Sequence, residues 1–161
     1  MGVVLYYRSA SPVDELVHRE IVGESRALEN DRDWWAEPIY FYAEPRKPGE
    51  LAGRTKISPP DEFISPRGGI VAVDAKDGWF MVYADVRFIV TQLCGWSMKH
   101  GLSWTLSCDG YDVGRIERGS VDEALSKFLR GLAKNGAASL NETADESRYE
   151  EIARRYQGLQ H

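Results

Sequence analysis

The stretch LSWTLSCDGYDVGRIERG, residues 102–119, constrains the fold more than any other part of the chain. Trp104, Leu106 and Cys108 alternate with Ser103, Thr105 and Ser107, the period of a strand with one buried face. Asp109-Gly110 then supplies a preferred two-residue type I′ turn before YDVGRI. A turn that tight forces antiparallel pairing. The chain is therefore expected to contain an antiparallel sheet in which Trp104, Leu106 and Cys108 share one face.

Immediately upstream the period changes. Trp79, Val82, Tyr83, Val86, Ile89, Val90, Leu93 and Trp96 recur at helical steps, and Lys99, His100 and Gly101 provide the cations and the left-handed cap that end a helix. Two starts compete: a long helix from Trp79, or a hairpin closed at Asp77-Gly78 with the helix beginning at Asp85. The longer helix fits the spacing better.

The first elements read as a short apolar strand VVLYY and a helix with Ser11 as N-cap and Pro12 at its first position. Val13, Leu16, Val17, Ile21 and Leu28 would form that helix's buried stripe, and Asn30 would end it. PIYFYA (38–43) is the next strand, with Ile39 and Phe41 on one face and Tyr40 and Tyr42 on the other; LAGRTKIS (51–58) would return antiparallel to it. Residues 59–69, dense in Pro and Gly, read as an irregular loop. Ser120 with Glu123 and Thr143 with Glu146 read as capping boxes of two last helices, joined by a link at 137–142. Leu125, Phe128, Leu129 and Leu132 form the stripe of the first, which Gly136 closes; Tyr149, Ile152, Ala153 and Tyr156 form that of the second.

The expected fold is thus α+β: one domain over residues 1–161, with an antiparallel sheet built from hairpins and packed on about four helices. A chain of 161 residues can bury a sufficient core without disulfides or metals. No stretch resembles a signal peptide or a membrane span, and two widely spaced cysteines suit a reducing compartment, so a cytoplasmic protein is expected.

Function is far less constrained. Residues 11–50 carry ten acids against five bases, so this segment holds the whole net charge of −5. Acidic surface repels phosphate backbones, which makes nucleic acid a poor partner and a basic protein an easier one. The same segment places Asp31, Asp33, Trp34, Trp35, Glu37, Tyr40 and Tyr42 close together, a composition suited to a protein interface. If the chain there is extended, Trp34 and Trp35 cannot both point inward, so one should belong to the core.

No Walker loop, metal-ligand cadence or nucleophile-base arrangement is recognisable, and no cofactor, metal ligand or catalytic residue is assigned. The question of an enzyme stays open, with the weight toward none. The first expectation is a non-catalytic interaction module, an adaptor, regulator or inhibitor of a basic partner. The alternative is a small-molecule-binding domain or small enzyme with a pocket between the sheet and loop 59–69. There Arg54, Lys56 and Arg67 would hold an anion, and His100 or Cys108 would supply reactivity. Monomer and homodimer are both compatible with the sequence.

Overall fold

The computed structural model describes residues 3–31, 34, 37–45, 47–57, 61–64, 69–138 and 142–157. The expected α+β architecture is present. Strands β1 (Val4–Ser9), β2 (Ala52–Lys56), β5 (Trp104–Cys108), β6 (Tyr111–Glu117) and β7 (Ser120–Val121) form one sheet in the order β2-β1-β5-β6-β7. All neighbours in it are antiparallel. β3 (Glu62–Ile64) and β4 (Ile70–Ala72) form a separate two-stranded sheet. The helices are α1 (Glu15–Asp31), α2 (Ala75–His100), α3 (Glu123–Asn135) and α4 (Glu142–Gln157).

Alternation decides which sheet face is covered. Leu5, Tyr7, Trp104, Leu106 and Ile116 are fully buried on one face, against α2, whereas Tyr6, Arg8, Arg54 and Arg115 between them are solvent-facing. An antiparallel sheet with one dry and one wet face is the usual result of such patterning. The Asp109-Gly110 turn has both residues at positive φ, 49° and 85°, as type I′ requires.

α2 is the axis of the core. At 26 residues it is about 39 Å long. Phe80, Met81, Val82, Tyr83, Val86, Ile89 and Leu93 are buried on several of its sides, because it packs against α3, α4 and β6 at once. It starts at Ala75, before either start anticipated from the sequence: Asp74 accepts hydrogen bonds from the Lys76 and Asp77 N–H groups and caps it. Asp77-Gly78 thus lies in the first turn of a helix and closes no hairpin. The other end is as expected, with Gly101 left-handed at φ 67° and its N–H bonded to Ser97 C=O.

Four local expectations are corrected. α1 begins at Glu15, with Asp14 Oδ1 accepting the Leu16 N–H, and Ser11 is not its cap. The chain before it is held extended by Ala10 N–H bonding to Ser103 C=O and Val13 N–H to Gly49 C=O. Leu16 is 73% exposed, being about 140° around the helix from the buried Ile21. Residues 59–69 are not wholly irregular, since β3 lies inside them. Ser120 belongs to β7 and Asp122 caps α3, while Thr143 lies inside α4, which begins at Glu142.

PIYFYA does not form a full strand with LAGRTKIS. β2 pairs along its length with β1, and residues 38–43 touch it through one bridge, Phe41–Gly53. A side chain takes over the remaining pairing. The Tyr7 hydroxyl accepts the Tyr40 N–H at 2.8 Å and lies 2.9 Å from Tyr40 C=O and 3.0 Å from Thr55 Oγ1. Gly53 makes that reach feasible. A Cβ there would lie 1.9 Å from the Tyr40 carbonyl oxygen and 2.7 Å from Tyr7 Cε2.

α4 is tied to α2 by polar groups as well as by Ile152 and Ala153. Tyr149 donates to Oδ1 of the fully buried Asp85 at 3.1 Å, and Tyr156 and Arg155 both bond Asp77 Oδ2. Removing one donor from a buried carboxylate leaves it under-solvated. Tyr149→Phe is expected to cost about 1–3 kcal/mol, read as a lower urea midpoint with an unchanged slope.

Candidate functional site

The wet face of the five-stranded sheet assembles chemistry that the linear sequence scatters. In one row across the strands, Ala52 of β2, Arg8 of β1, Thr105 of β5 and Arg115 of β6 are successive partners. In the next row Arg54 pairs with Tyr6, Tyr6 with Ser107, and Ser107 with Asp112. Lys56 continues the same face of β2 opposite Val4. Partners directly across an antiparallel ladder have Cβ atoms about 5 Å apart, so the Tyr6 ring has the Arg54 cation within reach.

The segment 38–42 extends the face past β2. Tyr42 N–H donates to Ala52 C=O and Arg54 N–H to Tyr40 C=O, which leaves Phe41 in the core and the two tyrosines on the opposite side. Their rings meet edge to face with centroids 5.9 Å apart. Tyr40 is 47% exposed and Tyr42 half-buried. Short side chains floor the face and long ones rim it. Ala52, Thr105 and Ser107 lie beneath a concavity of about 500 Å³ bordered by Tyr6, Tyr42, Arg8 and Lys47. A second concavity of about 300 Å³ adjoins it, bordered by Arg8, Lys47, Arg115, Ser11 and Thr105. Arg8, Lys47, Glu50 and Thr105 belong to both.

The electrostatics of the two sides of the molecule differ. Among the described residues Arg8, Lys47, Arg54 and Lys56 have no carboxylate within ion-pair distance, and Arg115 has only Glu117 at 3.8 Å. On the helical side three acids of α1, Glu15, Glu20 and Glu24, are already engaged. Glu20 holds Lys99 at 2.6 Å, and Glu24 accepts the Trp96 indole N–H. The bond to Lys99 holds the Glu20 carboxyl below the usual carboxylate range.

The sequence-derived candidates are redistributed accordingly. Asp31 is the exposed last residue of α1; Asp33, Trp35 and Arg67 lie outside the described residues. Trp34 is a core-edge ring, its indole N–H donating to Leu28 C=O at 3.0 Å and its ring in a T-shaped contact with Phe88, centroids 5.3 Å apart. Glu37 is exposed and accepts the Lys56 N–H. Tyr40 and Tyr42, drawn from the first candidate group, join Arg54 and Lys56 from the second on one surface. His100 sits at the far end of α2 with Nε2 3.4 Å from Glu20 Oε2. Cys108 ends β5 beside the turn, four residues and about 13 Å along the strand from Trp104, the end that follows α2, so it does not pair with His100. Burial, and then the neighbouring Asp109, push the Cys108 thiol up, the wrong direction for a nucleophile at neutral pH.

Tyr6, Arg8, Lys47 and Arg115 were not singled out from the sequence. The signal was present: in VLYYRS and in GRIE the outward positions alternate with buried ones, Tyr6 and Arg8 with Leu5 and Tyr7, Arg115 with Gly114 and Ile116. Reading VVLYY only as a short apolar strand left that alternation unused. Among the described residues no group of three His, Cys, Asp or Glu side chains is placed to hold a metal ion, and no helix is long and apolar enough to cross a membrane. The chain matches no protein-family model, no curated protein and no solved structure. What its exposed face supplies is charge, through arginine and lysine, and flat ring surface, through tyrosine.

Proposed function

We propose that this protein is a non-catalytic interaction module that engages an anionic ligand through the open face of its five-stranded sheet. The observation carrying this reading is the juxtaposition of Tyr6, Tyr40 and Tyr42 with Arg8, Arg54, Lys56 and Arg115 on that face, most of the cations lacking a carboxylate partner among the described residues. Local charge governs encounter within a Debye length of about 8 Å, so a net charge of −5 located largely on other elements does not prevent anion binding here. Regulation or inhibition by occupancy of such a face is the activity in view. Two free cysteines accord with a reducing, cytoplasmic setting.

A labelled heparin fragment, used as a generic polyanion, tests the reading by fluorescence polarisation. Binding is expected to weaken steeply as salt rises and to fall at least about tenfold in Arg8→Glu/Arg54→Glu, with circular dichroism unchanged. Glu15→Lys/Glu29→Lys on α1 should leave the face-specific loss intact. Binding that ignores the sheet-face reversal would overturn the proposal.

A second reading, a basic protein partner at α1, is favoured by one observation: Leu16 stands 73% exposed in the first turn beside Asp14 and Glu15. An apolar knob ringed by acids suits a cationic groove. Loss of a partner's binding on Leu16→Asp, with the sheet-face variant still competent, would single out this surface.

A further inference from the structure

The two concavities on the open face differ in chemistry, and they share a wall. The larger is bordered by the rings of Tyr6 and Tyr42 above a floor of Ala52, Thr105 and Ser107. The smaller is bordered by three cations, Arg8, Lys47 and Arg115, with the hydroxyl-bearing residues Ser11 and Thr105. We infer that together they form one bipartite pocket for a phosphomonoester carried on a planar ring, a ligand of nucleoside monophosphate size. The inference rests on the open sheet face being the binding surface, and it names the ligand class that this surface takes.

Each part of such a ligand has a counterpart. Arginines bind phosphate oxygens through two parallel N–H donors, and Arg8 and Arg115 flank Thr105 from opposite strands, so a phosphate above Thr105 meets a cation on either side. Lys47 closes the third side as a point charge from the loop before β2. A flat ring placed over the short residues of the floor stacks on the tyrosines that rim it. Glu50 borders both compartments, where it accepts a hydrogen bond from a hydroxyl lying between ring and phosphate. Asp112 borders the ring compartment; its Oδ1 is occupied by the Gly114 N–H at 2.9 Å, leaving the second oxygen to take a ring amine or imide proton. The volumes, about 300 and 500 Å³, lie in the range of small-ligand sites. A long polyanion would use only the charge and would leave the ring compartment without a role.

Calorimetric or saturation-transfer titration of the full chain with uridine monophosphate, uridine and inorganic phosphate tests this. Uridine monophosphate is expected to bind at least about tenfold more tightly than either fragment. Lys47→Ala/Arg115→Ala should bring uridine monophosphate down to the affinity of uridine. Tyr6→Ala, at a site 36% exposed and so tolerant of truncation, should bring it toward that of phosphate. Equal binding of uridine and its monophosphate would overturn the inference, as would no binding of any of the three up to about 10 mM. Binding of an oligothymidylate or of heparin without uridine monophosphate would overturn the bipartite pocket while leaving the anion-binding face standing.

Discussion

Replacing Gly53 by alanine is expected to destabilise the protein by about 3 kcal/mol or more. The position looks unremarkable, a small residue in a five-residue strand. Yet the added carbon would sit 1.9 Å from the carbonyl oxygen of Tyr40 and 2.7 Å from the ring of Tyr7, and neither neighbour can retreat. Tyr7 is fully buried, edge to face with Phe41 at 5.3 Å, and Phe41 in turn meets Trp96 and Trp104. The Tyr40 backbone is held by the Tyr7 hydroxyl and by Arg54 N–H. Relief therefore requires moving segment 38–42 off the sheet edge, which also removes Tyr40 and Tyr42 from the binding face. Arg54→Ala, one residue on and exposed, is the control and should change the urea midpoint by no more than about 0.5 kcal/mol equivalent. A Gly53→Ala protein that unfolds at the natural midpoint would show that the close approach of Tyr7 and Tyr40 is not a feature of the native state.

The second large effect appears only in base. Burial lifts the Tyr7 phenol well above its ordinary value of 10.0; the bonds to Thr55 and to the Tyr40 backbone pull the other way and do not cancel it. The native state holds the neutral phenol, and the unfolded chain releases its proton near pH 10. The stabilising contribution is therefore complete below about pH 10 and is lost as the pH rises from there toward the folded value. The slope approaches about 1.4 kcal/mol per pH unit for this one group. Tyr7→Phe should be less stable at neutral pH by about 1–3 kcal/mol, because the Tyr40 N–H loses its acceptor, but its stability should fall less steeply above pH 10. Parallel curves for the two proteins would mean that Tyr7 ionises in the native state.

How far the sequence could be read depended on whether the deciding contacts were local. The 102–119 hairpin, the Gly101 stop and the stripes of α3 and α4 follow from neighbours within a few residues, and they stand as expected. The helix starts were misplaced because capping is chosen by backbone context. Ser11 lies where the chain is bonded to Ser103 and Gly49, so the helix waits for Asp14. The partner of β2 was missed for a related reason: β1 is 43 positions away from the start of β2, and nothing local records that a tyrosine side chain will stand in for backbone pairing. The site was half visible. Alternation correctly set Tyr40 and Tyr42 apart from Ile39 and Phe41, but only the strand order brings Arg54, Tyr6, Arg8 and Arg115 beside them. Charge counted along the chain pointed to α1, whereas strand pairing sets Arg8, Arg54, Lys56 and Arg115 on one face of the sheet.

The most direct test of the open face as the binding surface is an amide chemical-shift map of the isotope-labelled full chain during titration with the heparin fragment. The expected shifts centre on Tyr6, Arg8, Ala52, Arg54, Thr105 and Arg115, with α1 and α4 silent. Shifts confined to α1 around Leu16, with the strands unmoved, would contradict the account.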